Sequence, residues 1–456
     1  MPAHRFALRI VIPVLNEGEA LAECLAILQP LRSEGVELVV VDGGSTDESW
    51  ARARPWVDRL MASPAGRARQ MNVGAQDTAT SQADALLFLH ADTQLPSNAV
   101  ALIWAALRER TWGRFDVQLH AKDWRLRIVQ SMMNLRSRLS GIATGDQAMF
   151  VRADAFKAAG GFPDQPLMED IELSGRLKRL SRPACLRERV RTSARKWERE
   201  GVWRTVFMMW RLRLAYFFGA SPQQLAHEYG YRPAPETAQA SVAIFAKAPV
   251  PGLAKTRLIP SLGATPEIGA VRAARLQRDF VGHSVHTAIQ SSMGQVNLWC
   301  APDVSHRRFR SVVRHTAIVC HAQPEGDLGQ RMQACAQKHF AQKDALPLLI
   351  MGTDCPVLAP GHLQAAARVL LSHDACLIPA EDGGYVVIGL KRWLPEVFER
   401  IDWSTARVMA QTRERLQEAG ASWHELPALW DVDEAADWQR MQQLTSPAPS
   451  REIDKP

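Results

Sequence analysis

LRIVIPV (residues 8–14) is a run of aliphatic, largely β-branched side chains broken only by Arg9 and Pro13, and it ends in the polar turn LNE (15–17). Such a run reads as a buried strand. Apolar residues then recur with helical period over 19–31, residues 37–41 are strand-like, and 85–89 form a buried strand ending at HAD (90–92). A second run of the same kind, SVAIFAK (241–247), opens the latter half, where 348–351 is a short strand entered through Pro347 and ending at GTD (352–354). Strands alternating with helices predict an α/β fold, here two tandem domains, each a mainly parallel sheet flanked by helices. Ligands of such sheets bind at the carboxyl ends of the strands, so the acidic residues at those ends are the candidates for function.

At 456 residues the chain exceeds what one core supports, and the expected organisation is a domain over 1–232, a linker at 233–240, a domain over 241–445 and a polar tail at 446–456. The boundary is read from RPAPETAQA (232–240), whose two prolines disfavour helix and whose apolar content is too low for a strand. Hydrophobic residues at 46% and charged residues at 23% are globular proportions, which excludes disorder. Seven cysteines without a C-x-x-C pair argue against a disulfide framework or zinc ribbon and fit a reducing cytosol. No apolar run approaches the ~18–20 residues of a spanning helix. The first ten residues lack the pattern of a secretion signal, so a cytoplasmic protein is expected.

In the first half four strand ends carry polar groups in order: IPVLNE (12–17), VVDGGSTD (40–47), FLHADT (88–93) and MEDIE (168–172). In combination they resemble family 2 inverting glycosyltransferases with the GT-A fold, over roughly residues 6–230. The resemblance implies that Asp42 holds the nucleotide base or ribose, with Asn16 and Glu17 lining the same pocket. Asp92 matches the final aspartate of the family's metal motif, where one carboxylate and the diphosphate oxygens hold Mg²⁺ or Mn²⁺. His90 stands where the motif usually has its first aspartate, and a satisfied loop histidine is the preferred reading of it. Asp170, with Glu169 beside it, matches the general base that an inverting transfer needs. GDQAMF (145–150) resembles the wall of the acceptor pocket, making Asp146 and Gln147 candidate acceptor contacts. The basic segment at 192–204 offers Arg195 to the diphosphate and Trp197 as a stacking surface for a sugar.

Residues 203–218 mix aromatics, methionines and arginines at helical spacing. A helix with one face packed on the domain competes with an interfacial helix drawn to anionic lipid or admitting an amphipathic acceptor. No nucleic-acid module accompanies the basic residues, so no nucleic-acid partner is expected.

In the second half, KAPVPGLAKTRL (247–258) brings Lys247, Lys255 and Arg257 around a Pro/Gly-bent loop suited to a phosphate chain, but it is neither a Walker A loop nor a G-x-G-x-x-G fingerprint. It resembles the basic loop of nucleotidyltransferase-like GT-A domains. GDLGQRM (326–332), MGTDCPVL (351–358) and PAEDGGYVVIGL (379–390) agree with that resemblance, which spans about 241–440. It implies Asp354 as a metal carboxylate, Asp382, Gly383 and Gly384 as a turn against the substrate, and Asp431 and Asp433 of WDVD (430–433) as further metal ligands. Cys355 reads as a small apolar filler. A pairing of two such domains resembles transferases associated with arsenosugar biosynthesis.

The resulting expectation is a metal-dependent inverting glycosyltransferase. It moves sugar from a nucleotide-diphospho-sugar to a small-molecule or lipid-like acceptor, with peripheral contact to the inner face of the membrane through 203–218. The second domain is read as a transferase, with two rivals: a nucleotidyltransferase that makes the activated donor, or a noncatalytic module.

Overall fold

The structure is a computed structural model that describes residues 4–78, 81–120, 123–194, 197, 201–231, 238–316 and 318–445. The chain folds into two compact units that divide between Pro235 and Glu236.

The first unit holds the strands β1 (His4–Val14), β2 (Val36–Asp42), β3 (Arg59–Ala62), β4 (Ser81–Phe88), β5 (Thr93–Gln94), β6 (Trp112–His120), β7 (Phe150–Arg152) and β8 (Ala184–Ser193). They form one sheet in the order β3-β2-β1-β4-β7-β6-β8-β5. β1, β2, β3 and β4 run parallel, as the short β-branched runs joined by helices require. β7 is antiparallel to both its neighbours, so the sheet is mixed. Arg9, the one charge within the opening run, pairs in register with Glu37 of β2. Its guanidinium is fully buried, bonded to Glu37, Ser81 and the carbonyls of Ala75 and Gln76. Such a site tolerates burial because every donor has a partner. The helix Arg67–Ala75 lies close over β1 and β2: a Cβ on Gly74 would stand 2.4 Å from Val11 Cγ1, so only glycine allows this approach.

The second unit holds β9 (Ser241–Lys247), β10 (Val296–Ala301), β11 (Val319–Ala322), β12 (Leu348–Met351), β13 (Ala375–Pro379), β14 (Tyr385–Leu390) and β15 (Trp423–Glu425). Their order is β11-β10-β9-β12-β14-β13-β15, with β14 antiparallel to both neighbours and the remaining pairs parallel. β12 is fully buried, which explains its uninterrupted apolar sequence. All seven cysteines are free, and Cys355 is buried, its thiol pushed up by burial, as a packing residue. Among the described residues no helix is long and apolar enough to cross a membrane.

Candidate functional site

Beyond β1 the chain turns through Asn16 in the left-handed region (φ 55°). The Asn16 amide donates to Ser45 Oγ at 2.9 Å, and its Oδ1 accepts from the Thr46 amide at 3.0 Å, tying the loop after β1 to the loop after β2. Glu17 starts the helix Gly18–Leu28, its amide donating to Ser49 Oγ at 2.9 Å. Gln70 Nε2 donates to the carbonyls of both Val14 and Val41 at 2.8 Å, clamping the two strand ends from below. Asp42 closes β2. Its Oδ2 accepts from the amides of Gly44 and Ser45, and its Oδ1 is buried. Burial raises its carboxyl to about 6 against those hydrogen bonds. Asp42, expected to hold the base or ribose, is 1% exposed beneath the turn, where it accepts two amides of its own loop.

The carboxylates of the MEDIE segment head the helix Glu169–Leu180. Met168 enters it at φ 67°, and Asp170 then accepts from the Gly145 amide at 3.0 Å through Oδ2 and from the Ile171 amide at 2.7 Å through Oδ1. Burial raises Asp170 above the usual carboxylate range despite these bonds. Glu169 is raised to about 7, first by burial and then by the charge of Asp170, with Arg67 opposing. Arg67, Phe88, His90, Gly145, Glu169 and Asp170 line one small pocket. His90 Nδ1 lies 3.4 Å from Asp146 Oδ1, so the histidine has a carboxylate partner. A Cβ on Gly145 would stand 2.7 Å from His90 Nε2, which makes glycine necessary there. Arg136 carries its guanidinium toward Asp170 and Asp146, with Nε and Nη2 buried and unbonded among the described residues. Sequence reasoning missed Arg67 and Arg136; the only local signal is the glycine-arginine start of the helix after Gly66.

Two acceptor candidates are placed elsewhere. Gln147 is fully buried, its Oε1 accepting from the Thr144 amide, because its side chain completes a local cap. Trp197 packs against the cluster of Val117, Leu126, Val129 and Val202, and so it serves as core. Arg195 lies outside the described residues. Asp92 is half-buried, its Oδ1 3.4 Å from the hydroxyls of Thr93 and Thr192. Among the described residues no group of three His, Cys, Asp or Glu side chains could hold a metal. Asp92 therefore fits a divalent ion only as one ligand, with the remaining oxygens coming from a diphosphate. A larger depression lined by Asp77, Trp104, Arg152 and Lys157 lies at the other end of β4, with Lys157 paired to Asp77 and Arg152 to Asp154.

In the second unit, Lys255 sits at φ 50° after the Pro/Gly bend. Its Nζ donates to the Val432 carbonyl at 2.6 Å, Asp433 Oδ1 at 2.8 Å and Asp354 Oδ2 at 2.9 Å. An ammonium has three donors, and all are committed. Lys255, expected on a phosphate, and Asp354 and Asp433, expected on a metal, are brought together here as one ion-paired group. Asp431 stands beside them, raised to about 6 by burial and by the charges of Asp382, Asp433 and Asp354. Lys247 and Arg257 are exposed, Arg257 Nη1 lying 4.0 Å from Asp433 Oδ2. Asp382 accepts from the Gly384 amide at 2.9 Å. Gly383 (φ 90°) approaches Ala406 so closely that a Cβ would stand 2.3 Å from its carbonyl oxygen, so this turn faces the protein's own backbone.

Two mixed sheets flanked by helices define a GT-A-like, nucleotide-diphospho-sugar transferase fold. More particularly, residues 9–153 match glycosyl transferase family 2, and residues 284–405 match a family described as an uncharacterized protein conserved in bacteria (DUF2064). The two matches fall in different units, the first in unit one and the second in unit two. Among solved structures, it is similar to a protein from Desulfovibrio desulfuricans assigned as a nucleotide-diphospho-sugar transferase: 30% identity, 43% of this chain, 83% of that one, TM-score 0.39. It is also similar to S. aureus TarS 1-349 in complex with UDP-GlcNAc (18%, covering 41% and 58%, TM-score 0.34). A third is the mannosyltransferase PcManGT from Pyrobaculum calidifontis in complex with GDP-Man and Mn²⁺ (15%, covering 70% and 86%, TM-score 0.35). The chain spans less than three fifths of that TarS fragment. No curated protein matches the sequence.

Proposed function

We propose that the first unit transfers a sugar, with inversion, from a nucleotide-diphospho-sugar to an acceptor hydroxyl, and that Asp170 is the general base. The observation that carries this reading is the Asp170 carboxylate at a helix start, held by the Gly145 amide in a pocket it shares with Glu169, Arg67 and His90. Each Asp170 oxygen accepts one amide and keeps a lone pair, so the carboxylate can take the acceptor proton without losing its position. The acceptor oxygen bonds to the anomeric carbon as the bond to the diphosphate breaks, and the proton passes to Asp170. Arg67 holds the Glu169–Asp170 pair against its mutual repulsion. A divalent ion, when bound, neutralises charge on the leaving diphosphate, and Asp92 would be its protein ligand. Asn16 and the turn above Asp42 would receive the nucleoside.

The test is turnover of UDP- and GDP-sugars with Mn²⁺. Wild type should release the nucleoside diphosphate, Asp170→Asn should lose turnover while keeping donor binding, and Asp92→Ala should lose the metal-dependent thermal shift. Full turnover by Asp170→Asn would remove the assignment of the base.

For the second unit we infer nucleotide binding through the exposed Lys247 and Arg257, the latter 4.0 Å from the Asp433 carboxylate. Release of pyrophosphate from a nucleoside triphosphate, lost in Arg257→Ala, supports a nucleotidyltransferase. No response to any nucleotide supports a noncatalytic module.

A further inference from the structure

The helix Trp124–Ser140 is folded inside out. Its buried side carries Gln130, Asn134 and Ser137 as well as Leu126 and Val129. The polar members grip β6: Asn134 Oδ1 accepts from the Val117 amide and its Nδ2 donates to the Val117 carbonyl, Gln130 accepts from Leu119, and Ser137 accepts from Arg114. Trp124, Ile128, Met132, Leu135 and Leu139 face out, with Leu139 80% exposed. Their spacing of three and four residues is that of one helical face.

The helix Val202–Phe217 repeats the arrangement. Trp203, Phe207, Trp210, Leu214 and Phe217 form a second outward stripe, with Phe207 72% and Phe217 82% exposed, and Phe218 extends it. The two helices meet through Leu126, Val129, Met133, Val202 and Val206, so the stripes belong to one packed pair. Ten large apolar side chains at helical spacing on adjoining helices exceed the scattered exposure ordinary for a surface.

Charge selects the occupant. Neither helix contains an acidic residue, and together they carry Arg125, Arg127, Arg136, Arg138, Arg204, Arg211 and Arg213. Of these Arg127, Arg204 and Arg211 are exposed, Arg211 paired with Glu228 beyond the helix. Exposed tryptophan and phenylalanine beside arginine, on helices that carry no acidic residue of their own, match a bilayer interface bearing anionic headgroups. We infer that these two helices form a single docking face for an anionic phospholipid bilayer. The sequence alone suggested an interfacial segment only at 203–218; the second helix, and the pairing, come from the tertiary structure.

The inward side of the Val202–Phe217 helix, opposite its exposed stripe, packs beside the candidate catalytic carboxylates. Met208 and Leu212 of the Val202–Phe217 helix pack with Met168 and Ile171, the residues flanking Glu169 and Asp170. A membrane-resident acceptor would therefore be met across one helix from the base. That last step rests on the glycosyl-transfer reading, whereas the bilayer contact does not.

The test is sedimentation of the full chain with phosphatidylcholine vesicles containing phosphatidylglycerol, against pure phosphatidylcholine, without nucleotide. Binding is expected to the anionic vesicles, to weaken with salt, and to fall about tenfold or more in each of two variants, Phe207→Ser/Trp210→Ser and Leu135→Ser/Leu139→Ser. Each altered side chain is exposed, and unchanged thermal unfolding checks the fold. Failure of wild type to bind, or full binding by the Leu135/Leu139 variant, overturns the proposal. So does a wild-type dimer that both variants dissociate, since a second copy would then cover the face. Because no sugar donor is present, a negative result leaves glycosyl transfer standing, and loss of turnover in Asp170→Asn leaves the vesicle result standing.

Discussion

Asp170 Oδ2 accepts a hydrogen bond from the Gly145 amide at 3.0 Å, joining the helix start that carries both candidate acidic groups to the segment that carries Asp146. The bond fixes one carboxylate of a pair that burial raises, the charge of Asp170 helping to bring Glu169 to about 7. A general base must be ionised, so turnover is expected to rise with pH above the usual carboxylate range, because burial raises Asp170. Glu169→Gln removes the neighbouring charge and should move that rise to lower pH. Asp170→Asn should lower kcat by roughly 10²–10⁴. A pH–rate profile of the three proteins checks both, and an unmoved rise in Glu169→Gln counts against the coupling.

Gly145 has a second consequence. Gly145→Ala would place a methyl 2.7 Å from His90 Nε2 and push the ring off Asp146. The expected result is a kcat lowered about 10–100-fold with the fold retained, read from steady-state kinetics and a thermal melt.

Asp42 makes stability depend on pH. Its folded carboxyl is raised to about 6, above its unfolded value of 3.8, so its favourable contribution is complete below that lower value and is lost as pH rises through about 6. Asp42→Asn lacks this loss. Between pH 4 and pH 8 the stability of the variant relative to wild type should increase by about 3 kcal/mol. Urea denaturation at several pH values measures it, and parallel pH dependences of the two proteins would contradict the buried charge.

Lys255 is enclosed by Asp354, Asp433 and the Val432 carbonyl. Lys255→Met should destabilise the protein by about 2–4 kcal/mol, less than for a fully buried pair because both carboxylates retain some solvent. Adding Asp433→Asn to that variant should recover part of the loss, because one of the two carboxylates left unpaired is then gone. Chemical denaturation of the single and double variants checks this, and equal loss in both would show that the lysine's packing matters more than its charge.

Local order was written in the sequence. The short apolar runs at 8–14, 241–247 and 348–351 read as buried strands, and MEDIE reads as a helix start bearing carboxylates because neighbours along the chain determine both. Period and turn chemistry are properties of adjacent residues, so two α/β halves and the position of Asp170 were legible. Which groups meet was decided by packing. Lys255 finds Asp433 across 178 positions, and Asp42 turns beneath its loop instead of toward a ligand. The Trp124–Ser140 helix has two chemically distinct faces in sequence, but only the amide and carbonyl of Val117 on β6 decide that the polar one is inside. Periodicity separates the faces of a helix; the hydrogen-bonding needs of the strand beside it choose between them.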